Sequence, residues 1–199
     1  MRQLYADDRE GCHPAWYLRH LGFRNKSPEG STHTDALLTF GQTRHVMFEA
    51  KFLSDISHDT KYAPERDQIS RNLDAGLAQA GYDLDRFWYV FVSPERFRGS
   101  YQTRLYGYRL REYMDPVTGP EALRRDLPHL QHLPESASVD YGELSRHIGW
   151  ITWEEVCGLV SGSPAFHEPD FPREGFERFF VERCLWPCEC PPGDSAASG

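Results

Sequence analysis

The sequence predicts a mixed α/β fold, a central mixed β-sheet flanked by helices, and three stretches carry that expectation. THTDALLTF and RHVMFEAKF are short β-branched and aromatic runs on either side of Gly41-Gln42-Thr43, the pattern of two strands joined by a turn. Between Pro64 and Gly81, Ile69, Leu73, Leu77 and Ala80 recur at helical spacing, which makes one apolar stripe. RFWYVFVS is an almost unbroken apolar run of strand length, as expected of a strand buried on both faces.

Taken in order, the segment from about Asp7 to His20 reads as a first helix. Trp16, Tyr17, Leu18 and Leu21 sit at compatible spacings, Pro14 lies near its first turn and Gly22 ends it. A polar loop with Pro28 and Gly30 leads into the first long strand. In the second, alternation places Val46, Phe48, Ala50 and Phe52 on one side and His45, Met47, Glu49 and Lys51 on the other; the first set is expected to pack and the second to carry chemistry. The helix after it has Pro64 at a plausible first position and Gly81 as its terminating residue. Gln68, Arg71, Asn72 and Ala75 form a second stripe beside the apolar one. Arg96 to Arg111 reads as irregular strand or loop and residues 120–133 as a helix. GWITWEEVCGLV reads as a strand entering a helix at Thr152, and a last helix is expected around Arg173–Leu185.

A chain of 199 residues can bury a sizeable core, and a single domain over residues 1–190 is expected, with PPGDSAASG at 191–199 as a disordered tail. Apolar residues at 39% and aromatics at 14% exclude global disorder. No apolar run reaches membrane-spanning length and the N-terminus has no signal-like apolar region, so the expected address is the cytoplasm, with no membrane partner. Five cysteines, an odd number, do not suggest a disulfide framework. The net charge of −8 would argue against a polyanionic partner. From Glu135 onward, however, twelve acids face four arginines, whereas residues 1–134 hold eighteen of each sign. The first two thirds therefore remain open to nucleic acid, and the acidic last third is a candidate surface for a homodimer or a protein partner.

Asp35, Glu49 and Lys51 bring two carboxylates and an ammonium to adjacent strands. A hard divalent cation takes a few oxygen ligands and keeps several waters, so two convergent carboxylates suit it. A lysine two residues along lies on the Glu49 face about 7 Å further on, where it can orient a water and stabilise charge on a phosphate. This needs register: a two-residue turn would put Thr34 opposite Glu49, whereas a three-residue turn over Gly41 to Thr43 puts Asp35 there.

At these residues the chain resembles the PD-(D/E)XK nuclease superfamily. Thr34-Asp35 lies at a strand end, Glu49-Ala50-Lys51 in the next strand, and Gln68-Ile69-Ser70-Arg71-Asn72 in the following helix; Thr34 stands where the family name has proline. The resemblance covers about residues 30–95 and implies a restriction-endonuclease-like core with a C-terminal helical extension. It further implies that Asp35 and Glu49 bind Mg²⁺ or Mn²⁺ with the Ala50 carbonyl, that Lys51 assists the attacking water, and that Gln68 supports the site. An acidic residue in the first helix, Glu10 with Asp7 or Asp8 as alternatives, is the implied further metal ligand.

Five arginines (Arg96, Arg98, Arg104, Arg109, Arg111) and three tyrosines (Tyr101, Tyr106, Tyr108) fall between Arg96 and Arg111 with no acid, a composition suited to phosphates and bases and equally to a solvated strand pair. Arg71, Asn72, Arg96, Arg98 and Arg104 are the candidate nucleic-acid contacts. His58, Asp59 and Lys61 lie in the loop after Lys51. Cys184, Cys188 and Cys190, with Cys12 upstream, resemble the four-cysteine iron–sulfur set of some nucleases of this superfamily. Two cysteines one residue apart are awkward to seat on one cluster or zinc ion, so neither cofactor is expected. Trp150 and Trp153 read as core or lid aromatics. The expected activity is metal-dependent DNA hydrolysis leaving a 5′-phosphate and a 3′-hydroxyl. The rivals are a catalytically silent nuclease-fold module serving as a partner-binding subunit of a defence or repair complex, and a phosphohydrolase acting on a small substrate.

Overall fold

The computed structural model describes residues 2–3, 33–41, 44–57, 66–99, 104–133, 135 and 138–185. The expected first helix, Glu10, His58, Asp59, Lys61, Cys12, Cys188, Cys190 and the tail 191–199 lie outside the described residues. Contacts along the chain divide it into two units, Met1–Ile151 and Thr152–Gly199.

In the first unit, the strand expected over THTDALLTF breaks at Asp35 into β2 (His33–Thr34) and β3 (Ala36–Phe40), and β1 (Arg2–Gln3) pairs antiparallel with β2. The break is held by Thr34, buried, whose hydroxyl lies 2.7 Å from the Phe48 carbonyl and 3.1 Å from that of Ala36. β3 pairs antiparallel with β4 (Arg44–Ala50), Phe40 facing Arg44 and Ala36 facing Phe48. Gly41 turns the chain at φ +61°, a conformation that glycine adopts without a Cβ clash. This is the register that a three-residue turn gives, and the pairing ends at Ala36 and Phe48, one step short of Asp35 and Glu49.

Helix α1 (Gln68–Gln79) and strand β5 (Phe87–Ser93) follow, with β5 parallel to β4 and beside it. The sheet order is β3-β4-β5-β6, where β6 is Ile148–Thr152. Tyr89 N–H donates to the His147 carbonyl and Trp150 Nε1 to Ser93 Oγ; these contacts advance together along both chains, so β6 runs parallel to β5. The result is a mixed four-stranded sheet. Helix α1 begins at Gln68, later than Pro64 suggests, because Asp67 caps it by accepting from Ser70 N–H at 2.8 Å. Its end is a Schellman turn: Gly81 N–H bonds the Ala78 carbonyl and Tyr82 N–H the Leu77 carbonyl, with Gly81 at φ +69°. The stripe Ile69, Leu73, Leu77 and Ala80 is buried.

The faces of β4 are the reverse of the sequence expectation. His45, Met47 and Glu49 are buried, while Val46, Phe48 and Ala50 are only partly so. Alternation shows which residues share a side, but the helix decides which side is inside, and α1 lies over the Glu49 side. One helical turn of four residues climbs about 6 Å, nearly the advance of two strand residues, so Gln68 and Asn72 meet Glu49 while Gly76 meets Met47 and Phe87 further back. A Cβ on Gly76 would lie 2.1 Å from Phe87 Cε2 and 2.9 Å from Met47 Cε, against two fully buried side chains. Gly76→Ala is therefore expected to lower stability by about 1–3 kcal/mol, overpacking outweighing alanine's helix propensity of roughly 1 kcal/mol. An unchanged or raised urea midpoint would show that the helix can lift without loss.

The stretch expected as strand or loop beyond Arg96 is instead a short 3-10 turn (Glu95–Phe97) and helix α2 (Leu105–Met114). Asp55, in the segment after β4, anchors that helix, its carboxylate accepting from Leu105 N–H at 2.7 Å and Tyr106 N–H at 3.2 Å. The helix expected at 120–133 ends early: α3 is Gly119–Asp126 and a 3-10 segment covers Pro128–His132. α4 (Tyr141–Arg146) precedes β6. Among the described residues no helix is long and apolar enough to cross a membrane.

The second unit is helical. α5 (Trp153–Ser161) starts in a capping box between Thr152 and Glu155, and α6 (Arg173–Glu182) follows a Pro-rich connection. Trp153, Phe166, Phe171, Phe176, Phe179 and Phe180 pack edge-to-face or tilted, with centroids 4.7 to 6.3 Å apart.

Candidate functional site

Glu49 is 2% exposed at the end of β4, and three side chains converge on it. Lys51 Nζ lies 2.6 Å from Oε1, Gln68 Nε2 donates to the same oxygen at 2.7 Å, and Asn72 Nδ2 donates to Oε2 at 2.9 Å. Burying a carboxylate costs several kcal/mol unless it is paired and hydrogen-bonded, and these donors are that compensation. Sequence places Gln68 and Asn72 four apart on one helix, so both amides reach one carboxylate. Lys51 continues the buried face of β4 and its own N–H is tied to the Val92 carbonyl at 2.8 Å.

Asp35 is exposed at the bend between β2 and β3, and its Oδ2 accepts from Ala50 N–H at 2.8 Å. It takes the place of a ladder carbonyl at the end of the β3–β4 pairing. In a strand the N–H and C=O of one residue leave by the same edge, so the Ala50 carbonyl also faces Asp35. On this side of the sheet Thr39 meets His45 and Leu37 meets Met47 in the core, and Asp35, at the bend beyond them, is close enough for its charge to act on Glu49. In the neighbouring strand β5, Tyr89 is buried opposite Met47.

Burial holds the Glu49 carboxyl above its ordinary value of 4.5, and the Asp35 charge adds to this, while Lys51 and Asn72 pull it down without prevailing. Burial and the neighbouring Glu49 charge likewise push the Tyr89 phenol well up. A raised folded value means that the folded state holds the proton more tightly, so this group's contribution to stability declines as pH rises from about 4.5 through that value. Without divalent metal, the thermal midpoint of Glu49→Gln minus that of the wild type is accordingly expected to increase with pH across this window and then level off. A difference constant with pH would mean that Glu49 titrates as it does in the unfolded chain.

The helix carrying the two amides is itself held by charge. Arg66 Nη2 lies 3.0 Å from Asp74 Oδ2, both side chains 2% exposed or less. Arg109 Nε lies 2.7 Å from the cap Asp67, and its Nη1 lies 3.2 Å from Asp126, which also binds Arg125 and the Tyr113 hydroxyl. These connections tie α1 to α2 and α3. Of this set only the Asp67 cap had a local sequence signal, an aspartate three residues before Ser70; Arg109 is 42 positions from its partner.

The other candidates separate. Asn72, expected at a nucleic-acid surface, is buried and committed to Glu49, and Arg71 is partly buried on α1. Arg98 pairs with Glu95 at 3.7 Å, and Arg111 donates to the Arg98 and Gly99 carbonyls. Arg96 and Arg104 lie at the ends of the same connection, over phenylalanine rings. Cys184 is exposed and Cys157 buried. Trp150 is a core residue and Trp153 packs on Phe179 and Phe180. Among the described residues no group of three or more His, Cys, Asp or Glu is arranged so that it could hold a metal ion by itself. No family model, curated protein or solved structure matches the chain.

Proposed function

We propose that this chain is a metal-dependent nuclease with a restriction-endonuclease-like core that hydrolyses DNA phosphodiester bonds at Asp35, Glu49 and Lys51. The observation that carries this reading is the convergence of Lys51, Gln68 and Asn72 on a buried Glu49, with the Asp35 carboxylate bonded to the N–H of the next residue, Ala50. An exposed, solvated strand face would have neither the burial nor the three donors.

The residues present fit Mg²⁺ or Mn²⁺. All the donors are hard oxygens: Asp35 Oδ1, which takes no hydrogen bond among the described residues, Glu49 Oε2, which among the described residues takes Asn72 alone, and the Ala50 carbonyl. Two carboxylates and a carbonyl leave room for the waters that Mg²⁺ retains. When bound, the cation would supply positive charge for the phosphate oxygens and acidify a water.

The chain's own groups do the rest. Gln68 and Asn72 hold the Glu49 carboxylate in one orientation, as outer partners do for metal-binding carboxylates. The Lys51 ammonium balances Glu49 and lies where it can orient the attacking water and stabilise charge on the phosphate in an in-line displacement. Water oxygen bonds to phosphorus and gives up its proton, the bond from phosphorus to the 3′ oxygen breaks, and that oxygen gains a proton. The products are a 5′-phosphate and a 3′-hydroxyl.

The test is incubation with plasmid and with single-stranded DNA in Mg²⁺, Mn²⁺ or EDTA. Metal-dependent cleavage supports the proposal. Absence of cleavage in every metal condition would favour the silent partner-binding module.

A further inference from the structure

Most arginines near this site are visibly engaged: Arg66, Arg98, Arg109 and Arg125 each face an acid, and Arg111 donates to the Arg98 and Gly99 carbonyls. Arg96 and Arg104 have no acidic partner among the described residues and are held instead on aromatic rings. The Arg96 guanidinium lies 5.1 Å from the Phe97 centroid and 5.7 Å from that of Phe52, and the Arg104 guanidinium 4.8 Å from Phe97. One ring thus gathers two like charges. A cation–π contact at an exposed site contributes about 0.5–1 kcal/mol, which fixes the guanidinium planes but leaves their N–H edges and positive charge uncompensated. The acids on the neighbouring segments are otherwise engaged: Asp55 accepts from the N–H groups of Ile56, Leu105 and Tyr106, and Glu95 pairs with Arg98.

Placement gives this pair a partner. Phe52 directly follows Lys51, and Arg96 comes three residues after Ser93, where β5 ends. The pair therefore sits at the carboxyl ends of the parallel strands β4 and β5, the end at which open α/β sheets bind ligands, with Arg96 over the residue that follows Lys51. Planar guanidinium forks match phosphate oxygens.

We propose that Arg96 and Arg104, seated on Phe97 and Phe52, form a phosphate clamp for the nucleic-acid strand, gripping backbone that flanks the phosphate handled by Lys51. This rests on the nuclease reading and adds to it a substrate class: a polymer strand held by its backbone without regard to sequence, rather than a mononucleotide or a free phosphate.

The experiment measures binding of a fluorescent single-stranded DNA 20-mer across salt concentrations in EDTA, so that it is independent of cleavage. Compared are the wild type, Arg96→Gln, Arg96→Gln/Arg104→Gln and the control Arg98→Gln, with circular dichroism to verify folding. The double variant is expected to bind about 10- to 100-fold more weakly, two charge-assisted contacts being lost. Its salt slope should fall by about 1.4, at roughly 0.7 per phosphate contact on a single strand. Arg96→Gln, at an exposed position, should show about half that change in slope should the double variant fail to fold. Unchanged affinity and slope, or a loss matched by Arg98→Gln, would overturn the clamp. Competition with thymidine monophosphate and with inorganic phosphate separates the sources: displacement of the strand by either at low millimolar concentration would overturn the polymer assignment, and failure to displace supports it. Clamp binding without cleavage in any metal would count against the nuclease reading alone; cleavage without the arginine effect would count against the clamp alone.

Discussion

Lys51→Ala is expected to reduce DNA cleavage by about 100- to 10,000-fold, the range for removing a group that stabilises or transfers charge in the transition state. Lys51 Nζ is 2.6 Å from Glu49 Oε1 and 14% exposed, so its loss has a second consequence. Glu49 would keep only the Gln68 and Asn72 amides, and its carboxyl, already held up by burial, would rise further. The variant should therefore be less stable than the wild type in EDTA and recover part of that difference in Mg²⁺, which replaces the missing cation. The check is cleavage beside a thermal melt with and without metal. Cleavage that survives both EDTA and the substitution would remove Lys51 and the metal from the mechanism.

The second large effect concerns the helix that carries the amides. Asp74→Ala is expected to destabilise the protein by about 3–5 kcal/mol, because it takes the carboxylate from a fully buried Arg66 guanidinium. At roughly 2–4 °C per kcal/mol for a chain of this size, the thermal midpoint should fall by about 6–20 °C. Replacing both partners, Arg66→Met with Asp74→Leu, should recover most of the loss, since an apolar pair has no charge to desolvate. A single substitution within about 0.5 kcal/mol of the wild type would show that Asp74 does not compensate the arginine.

How much of this was legible before any coordinates depended on the range of each interaction. Local signals served well: β-branched runs, the turn at Gly41, the apolar stripe of α1, the Thr152 start of α5. Once the turn is three residues long, the pairing of Phe40 with Arg44 through Ala36 with Phe48 follows from its length alone. The burial of Glu49 does not, because alternation along β4 cannot say which side the helix will cover. The start of α1 was misplaced because Pro64 gave a strong but nonspecific signal, whereas the side chain that caps the helix is Asp67. Helix α2 was hidden for a similar reason: Tyr106, Tyr108 and Gly107 favour strand or loop locally, and the helix is fixed from outside by Asp55, fifty positions upstream of Leu105. Asn72 was visible as part of a polar stripe, but only the packing of α1 over β4 assigns it to Glu49 rather than to the surface.

The proposed convergence of Asp35 and Glu49 on one cation is tested most directly by titrating the purified protein with Mn²⁺ and following the free-ion electron paramagnetic resonance signal. The wild type is predicted to take up one Mn²⁺ and Lys51→Ala to retain uptake, while Asp35→Asn and Glu49→Gln each weaken it at least about tenfold, as expected when a metal-binding group is lost. Equal Mn²⁺ uptake by the wild type, Asp35→Asn and Glu49→Gln, or none by the folded wild type, would contradict the account.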